Sequence, residues 1–316
     1  MFIYIKQERK QMAKISTVLG DISPSELGFT YTHEHLISHP PQWRIAQDPD
    51  LEIPDPEKAI EELGYFYAAG GRSLVEGTAI DYGRDPKGLQ YVASKVKVHI
   101  IATTGFNKGS FYPDWVKEKT IDDLAELFVK ELTKGMNDTN IKAGQIKIGS
   151  SYNAITEQEE KVTRAAARAQ KVTGAPVWIH TESGTMGLEQ LSILKEEGAD
   201  LTKVAVGHSD RNADPFYHLS ILKTGAYIQF DGPSKIKYYP DSVRVEMIKN
   251  ALAHGYGDKL LISGDMGRKS YLKAYGGGPG FEFIITKFVA RLRAEGIEDK
   301  AVERIFIDNP RNWLQF

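Results

Sequence analysis

The sequence predicts a single (β/α)8 barrel, an α/β TIM barrel. Three observations carry this: eight short apolar, β-branched runs recur after about residue 28, helical stretches alternate with them, and no Pro/Gly-rich linker interrupts the series. Barrel strands are buried on both faces, so they read as continuous apolar runs rather than alternating ones. Barrels of this kind routinely reach 316 residues as one unit.

The first strand is predicted over 28–33 (GFTYTH). A helix follows Asp55–Pro56, with Ile60, Leu63 and Tyr67 on one face and Gly70–Gly71 as its stop. Strands two and three are predicted over 73–79 (SLVEGTA) and 97–104 (KVHIIATT), and a long polar and aromatic loop over 105–119. Thr120 and Asp123 open the next helix, ahead of strand four over 144–149 (GQIKIG). Thr156 and Glu159 make a capping box for a helix that buries Val162, Ala165, Ala166, Ala169 and Val172 and ends at Gly174. Strands five to eight are predicted over 176–181 (PVWIHT), 203–208 (KVAVGH), 225–231 (GAYIQFD) and 259–265 (KLLISGD). A second long loop, 266–280, leads into a long last helix from Phe281. The rival architecture, a doubly wound open sheet, expects a glycine-rich phosphate turn after its first strand, and this chain has none there.

Composition narrows the function. Hydrophobic residues are 41% and charged residues 26%, as in an ordinary soluble domain, and the net charge of −2 gives no footprint for nucleic acid. With no cysteine there are no disulfides, thiolate nucleophiles or thiolate metal sites, so any metal must be held by other residues. No apolar run approaches the ~20 residues that cross a bilayer. The opening MFIYIKQERKQ lacks the features of a signal peptide, so a cytoplasmic protein is expected, and Met12 is an alternative start.

Chemistry gathers at the strand ends. His33 and His35 flank Glu34 at the end of the first strand, and in extended chain residues i and i+2 point to one side, so both imidazoles can reach one ion. Alone, such a pair equally describes two solvent-facing histidines. Position adds weight: Lys147 ends strand four, His180 strand five, His208 strand six and Asp265 strand eight. The 28 residues from His180 to His208 and the 57 from His208 to Asp265 match one and about two strand–helix units. All these ends open at one barrel mouth, where the active sites of barrels lie. Lys147 is the odd member, because cations repel an ammonium. Either it snorkels at the strand end, or its amine has reacted with carbon dioxide to give an anionic carbamate able to bridge two metals.

The segments TYTHEHL, IKIGSS, PVWIHTES, VGHSDRN and LISGDM, in this order, resemble the phosphotriesterase-like branch of the amidohydrolase superfamily over nearly all the chain after about residue 14. The resemblance implies a distorted (β/α)8 barrel with two divalent metal ions. In it His33, His35 and Asp265 hold one ion, His180 and His208 the other, and carboxylated Lys147 bridges them. Zinc is the first expectation, with manganese or cobalt as alternatives. A metal-bridging hydroxide is then the nucleophile, and Asp265 is the catalytic residue that takes its proton and returns it to the leaving oxygen. Residues 1–13 form an N-terminal extension and 14–316 the metallohydrolase barrel.

The substrate must be read from the loops. After strands seven and eight, DGPSKIKYYP and DMGRKSYLKAYGGGPG offer Lys235, Lys237, Arg268, Lys269 and Tyr271, at a recurrent phosphate-binding location of barrels. The glycine run 276–280 either cradles an anion or seats the last helix. EGTAIDYGRD, TTGFNKGSFY, GHSDRNAD and RKSYLKAYGGGPG are similar to loops of the family's sugar-phosphate lactonases. By that resemblance Lys237, Arg268 and Tyr271 form a phosphate clamp, and the substrate is a phosphorylated sugar lactone such as a pentono-1,4-lactone 5-phosphate. The alternatives are a lactonase for unphosphorylated or acyl-homoserine lactones with phosphotriesterase side activity, and a catalytically idle binding relative. Amide or imide hydrolysis is a third, toward which nothing in the loops points. Glu76, Asp81, Arg84, Asp210 and Arg211 are expected mainly as loop-stabilising ion pairs, and His39, His99, His218 and His254 as structural or surface residues. A homodimer is expected, with no nucleic-acid or membrane partner.

Overall fold

Backbone pairing fills the barrel in the predicted order. The computed structural model describes residues 13–316, so the expected extension over 1–13, with Met12, lies outside the described residues except for Ala13. The staves are β3 (Thr30–Glu34), β4 (Ser73–Glu76), β5 (His99–Ile101), β6 (Thr103–Gly105), β7 (Gln145–Ser150), β8 (Val177–Thr181), β9 (Val204–Val206), β10 (Tyr227–Phe230) and β11 (Leu260–Ile262). They follow a hairpin, β1 (Ile15–Thr17) and β2 (Gly20–Ile22), which the sequence reading missed. Its strands are three residues each, too short to show an apolar period.

Hydrogen bonding runs in two parallel arcs, β3-β4-β5 and β6 through β11. The predicted third strand serves both. It divides at Ala102, so that β5 pairs with β4 and β6 with β7. The other seam, between β11 and β3, is stitched by side chains. The Ser263 hydroxyl lies 3.0 Å from the His33 N–H and 2.7 Å from the His33 carbonyl, and the Glu34 carboxylate accepts the Met266 N–H at 2.9 Å. Glu34, between the two histidines, is therefore the clasp of the barrel. Burial raises its pKa to about 7, against the pull of these donors.

The predicted caps hold. Helix Pro56–Ala69 begins where Asp55 accepts the Glu57 N–H at 2.9 Å and stops at Gly70, whose φ of 118° suits glycine. Thr120 and Thr156 close capping boxes on Ile121–Thr133 and Glu157–Thr173. Three expectations need correction. Tyr67 is 37% exposed, with Arg72 packed on its ring, and Val172 is 74% exposed, so neither belongs to a buried face. The long helix after Phe281 forms over 282–294, with a π turn, Ile284–Phe288, inside it, but it is not the last, because a further helical run, 299–314, closes the chain's described residues.

Two apolar layers result. The outer one packs Leu74, Ile146, Ile179 and Ile228 against helix residues such as Phe66, Phe128 and Val162. The inner one, Ile15, Val75, Ile101, Trp178, Ala205 and Leu261, plugs the lower barrel. Trp178 and His180 are two residues apart in β8 and share a face, so the indole forms the floor beneath the polar mouth. No helix of the described residues is long and apolar enough to cross a membrane.

Candidate metal centre

Four imidazoles and a carboxylate converge above that floor. His33 stacks on Trp178 with ring centroids 3.8 Å apart and planes 4° from parallel. His35 stands edge-on to His33 at 5.2 Å, and the Nε2 atoms of the pair face Asp265 Oδ1 at 3.4 and 3.5 Å. From the far side, His208 Nε2 lies 3.0 Å from His180 Nδ1. Ligand atoms of His33, His208 and Asp265 all lie within 4.8 Å of one another. His208 and Asp265 adopt left-handed backbone, with φ of 55° and 46°. For residues with a Cβ this costs about 1–2 kcal/mol, and here it turns both side chains out of the strand line at the mouth.

The outer faces of three rings are anchored. His208 Nδ1 lies 2.7 Å from Asp231 Oδ1, and His180 Nε2 lies 3.3 Å from Glu182 Oε2. His35 Nδ1 donates to Thr78 Oγ1 at 2.8 Å, and Thr78 in turn donates to Glu76 at 2.6 Å. Burial pulls the His180 pKa down and drives those of His33 and His208 well below the usual imidazole value, so these rings are neutral at pH 7. With the single proton of each ring on its carboxylate side, the tautomer that Asp231 and Glu182 favour, His180 Nδ1 and His208 Nε2 present inward lone pairs that a cation can accept. The donor set therefore fits divalent metal, and its anchored outer nitrogens are the usual support for histidine ligands. Sequence reasoning missed Asp231, Glu182 and Thr78. Asp231 alone gave a signal, as the polar end of strand seven.

Lys147 does not snorkel. Its side chain is buried, with Nζ donating to the Gly77 carbonyl at 2.9 Å and lying 4.8 Å from the Trp178 ring centroid. Gly77 must be glycine, because a Cβ there would fall 2.4 Å from His33 Cε1. Among the described residues no carboxylate pairs directly with the amine. Burial lowers its pKa to about 8, opposed by the more distant Asp265, Asp81, Glu76 and Asp231. A buried amine that loses its proton so readily is suited to react with carbon dioxide.

Asp265 has further partners. Its Oδ2 takes Lys235 Nζ at 2.8 Å and Arg211 Nη2 at 3.0 Å. Burial opposes ionisation, but Lys235, and after it the facing His33 and His35 ring nitrogens, hold the carboxyl well below the usual carboxylate range. Arg211, expected as a loop ion pair, thus reaches the centre. Of the other four, two make the expected ion pairs, Arg84 with Glu131 (2.8 Å) and Asp210 with Arg244 (2.6 Å). The other two do not: Asp81 accepts the Asn107 N–H (2.8 Å), and Glu76 accepts from Thr78, the partner of His35. His218 is buried against the Ser209 carbonyl, His254 bonds the Asn250 carbonyl at the surface, exposed His39 lies 3.9 Å from Glu52, and His99 is half-buried.

Lys237, Arg268 and Tyr271 line one cavity of about 170 Å³ with His35, Asp265, Tyr82 and Lys235. Lys237 and Lys235 each lie 5.5 Å from the Tyr271 ring centroid. Arg268 is engaged by Asp48 (2.7 Å) and Asp50 (3.3 Å). The glycine run does not cradle an anion, because the N–H groups of Gly277, Gly278 and Gly280 bond back to Leu272, Ser270 and Tyr271 carbonyls. A wider hollow of about 1040 Å³ lies against helix Ile121–Thr133, with none of the four histidines on its wall.

Comparison with known proteins gives this geometry a setting. The model of the phosphotriesterase family matches residues 13–314. A crystal structure of a lactonase from Listeria monocytogenes is 41% identical and superimposes with a TM-score of 0.92, covering 95% of this chain and 98% of that one. A phospho-furanose lactonase of Mycoplasmopsis agalactiae is 34% identical over 323 residues, 96% of this chain and 91% of the relative. An N-acetyltaurine hydrolase of Xenopus tropicalis is 33% identical over 344 residues, 96% of this chain and 98% of the relative.

Proposed function

Because this chain belongs to the phosphotriesterase family, we propose that it is a metal-dependent lactonase that opens a phosphorylated sugar lactone, with a pentono-1,4-lactone 5-phosphate as the favoured substrate. One observation carries the reading: the cationic and phenolic groups Lys237, Arg268 and Tyr271 share a cavity with His35 and Asp265. A ligand whose phosphate rests on the first group would present its ring carbonyl to the second.

His33, His35 and Asp265 would hold one divalent ion, His180 and His208 the other, with carboxylated Lys147 between them. Zinc is the first candidate. Bound there, the pair would supply an acidified water and a Lewis acid for the lactone carbonyl. Asp265 takes the proton released on attack and returns it to the ring oxygen as that bond breaks. Lys235 and Arg211, on Oδ2, keep its basicity low, which suits a group that must hand the proton on. The identities of the named lactonases support this reading, and residues 14–316 are its catalytic barrel.

A second reading is favoured by the relative named N-acetyltaurine hydrolase, since the same cationic pocket would accept a sulfonate while the centre cleaves an amide. A pH-indicator assay over lactones with and without a terminal phosphate, with N-acetyltaurine alongside, separates the two. We expect kcat/KM highest for a phosphorylated lactone. Equal turnover of phosphorylated and plain lactones, or faster turnover of the amide, would remove the proposal.

A further inference from the structure

Arg268 already has partners in the free protein. Its Nη2 donates to Asp48 Oδ2 at 2.7 Å and its Nη1 to Asp50 Oδ2 at 3.3 Å. Both carboxylates sit on the segment after the first barrel strand and reach across the mouth. They differ in how they are held. Asp50 is tied to the Ser270 N–H (2.8 Å) and hydroxyl (2.6 Å), so it stays with the loop after β11 whatever Arg268 does. Asp48 has the shorter bond to Arg268, its side chain is about a quarter exposed, and among the described residues that bond is the one hydrogen bond its carboxylate makes.

Resting on the clamp reading above, we propose that Asp48 is an internal competitor for the substrate's phosphate. It occupies Nη2 in the free protein, and a phosphate monoester displaces it. A carboxylate carries one charge, whereas the ester carries about −1.5 to −2 near neutral pH and three acceptor oxygens. The ester can therefore take Arg268 while also reaching Lys237 and Tyr271, which line the same cavity. The exchange gives Arg268 a partner at every stage and sets how tightly the phosphate is held and how readily the phosphorylated product leaves. Asp48 thus determines specificity through Arg268 without touching the reacting bond.

A double-mutant cycle read by calorimetric titration of glycerol 3-phosphate tests this. Asp48→Asn should tighten binding by about fivefold, the strength of a partly exposed ion pair, and the gain should vanish when Arg268→Ala is already present. If Asp48→Asn weakens binding, Asp48 aims Arg268 rather than competing for it, and the proposal is overturned. An equal gain in both backgrounds would mean general repulsion between Asp48 and the ligand, which also overturns it. If Arg268→Ala alone leaves affinity unchanged, the clamp itself is wrong and this inference goes with it.

Discussion

Asp231 Oδ1 lies 2.7 Å from His208 Nδ1, on the side of the ring away from His180. The contact fixes the tautomer and leaves Nε2 as a lone pair 3.0 Å from its counterpart on His180. Substituting Asp231 by Ala should weaken divalent-metal affinity by about 10–100-fold, with Asn intermediate because its amide oxygen still accepts the proton. Titration against a chelator of known affinity measures it. Unchanged affinity would mean that the carboxylate does not orient the ring.

Carbamate formation requires a neutral Lys147 amine, and its pKa is lowered to about 8. The amine is neutral above that pKa and protonated below it. At fixed dissolved carbon dioxide, the rate of metal reconstitution of stripped protein should therefore rise about tenfold per pH unit below 8 and flatten above it. A rise continuing to pH 10 would indicate an ordinary exposed lysine. Lys147→Ala should be inactive, and a short carboxylic acid should restore part of the activity. Full activity without additive would reject the bridge.

Arg268→Ala should raise KM for a phosphorylated lactone well above its effect on an uncharged one, with kcat little changed. Steady-state kinetics on matched substrates read this directly. Equal effects on both would remove the clamp.

Arg244 is fully buried and joins Asp210 (2.6 Å), Asp241 (3.0 Å) and the Tyr239 carbonyl (2.6 Å), bracing the loop that carries Lys235 and Lys237. Truncating it to Ala strands the equally buried Asp210 carboxylate and should cost about 3–5 kcal/mol of stability. Urea unfolding provides the measurement, and a loss below about 1 kcal/mol would show that the network rearranges.

The ligand-type residues were legible because a strand–helix repeat returns the chain to one mouth at regular intervals. His180 and His208 needed only that spacing, whereas for Lys147 it gave the place and left a snorkelling amine and a bridging carbamate both open. The partners of Asp265 were not legible. Lys235 and Arg211 reach it from loops 30 and 54 residues away, through space that no periodicity encodes. The clasp role of Glu34 was hidden for a related reason, since its partners Ser263 and Met266 lie on the far side of the barrel seam. The Ala102 split left no trace either, because KVHIIATT stays apolar and β-branched through it.

Metal stoichiometry of the purified chain tests the central claim most directly. Elemental analysis after reconstitution in bicarbonate should find two divalent ions per chain in the native protein and fewer in Lys147→Ala. Finding none in the native protein, or two in the variant, would contradict a lysine-bridged pair held by the four histidines and Asp265.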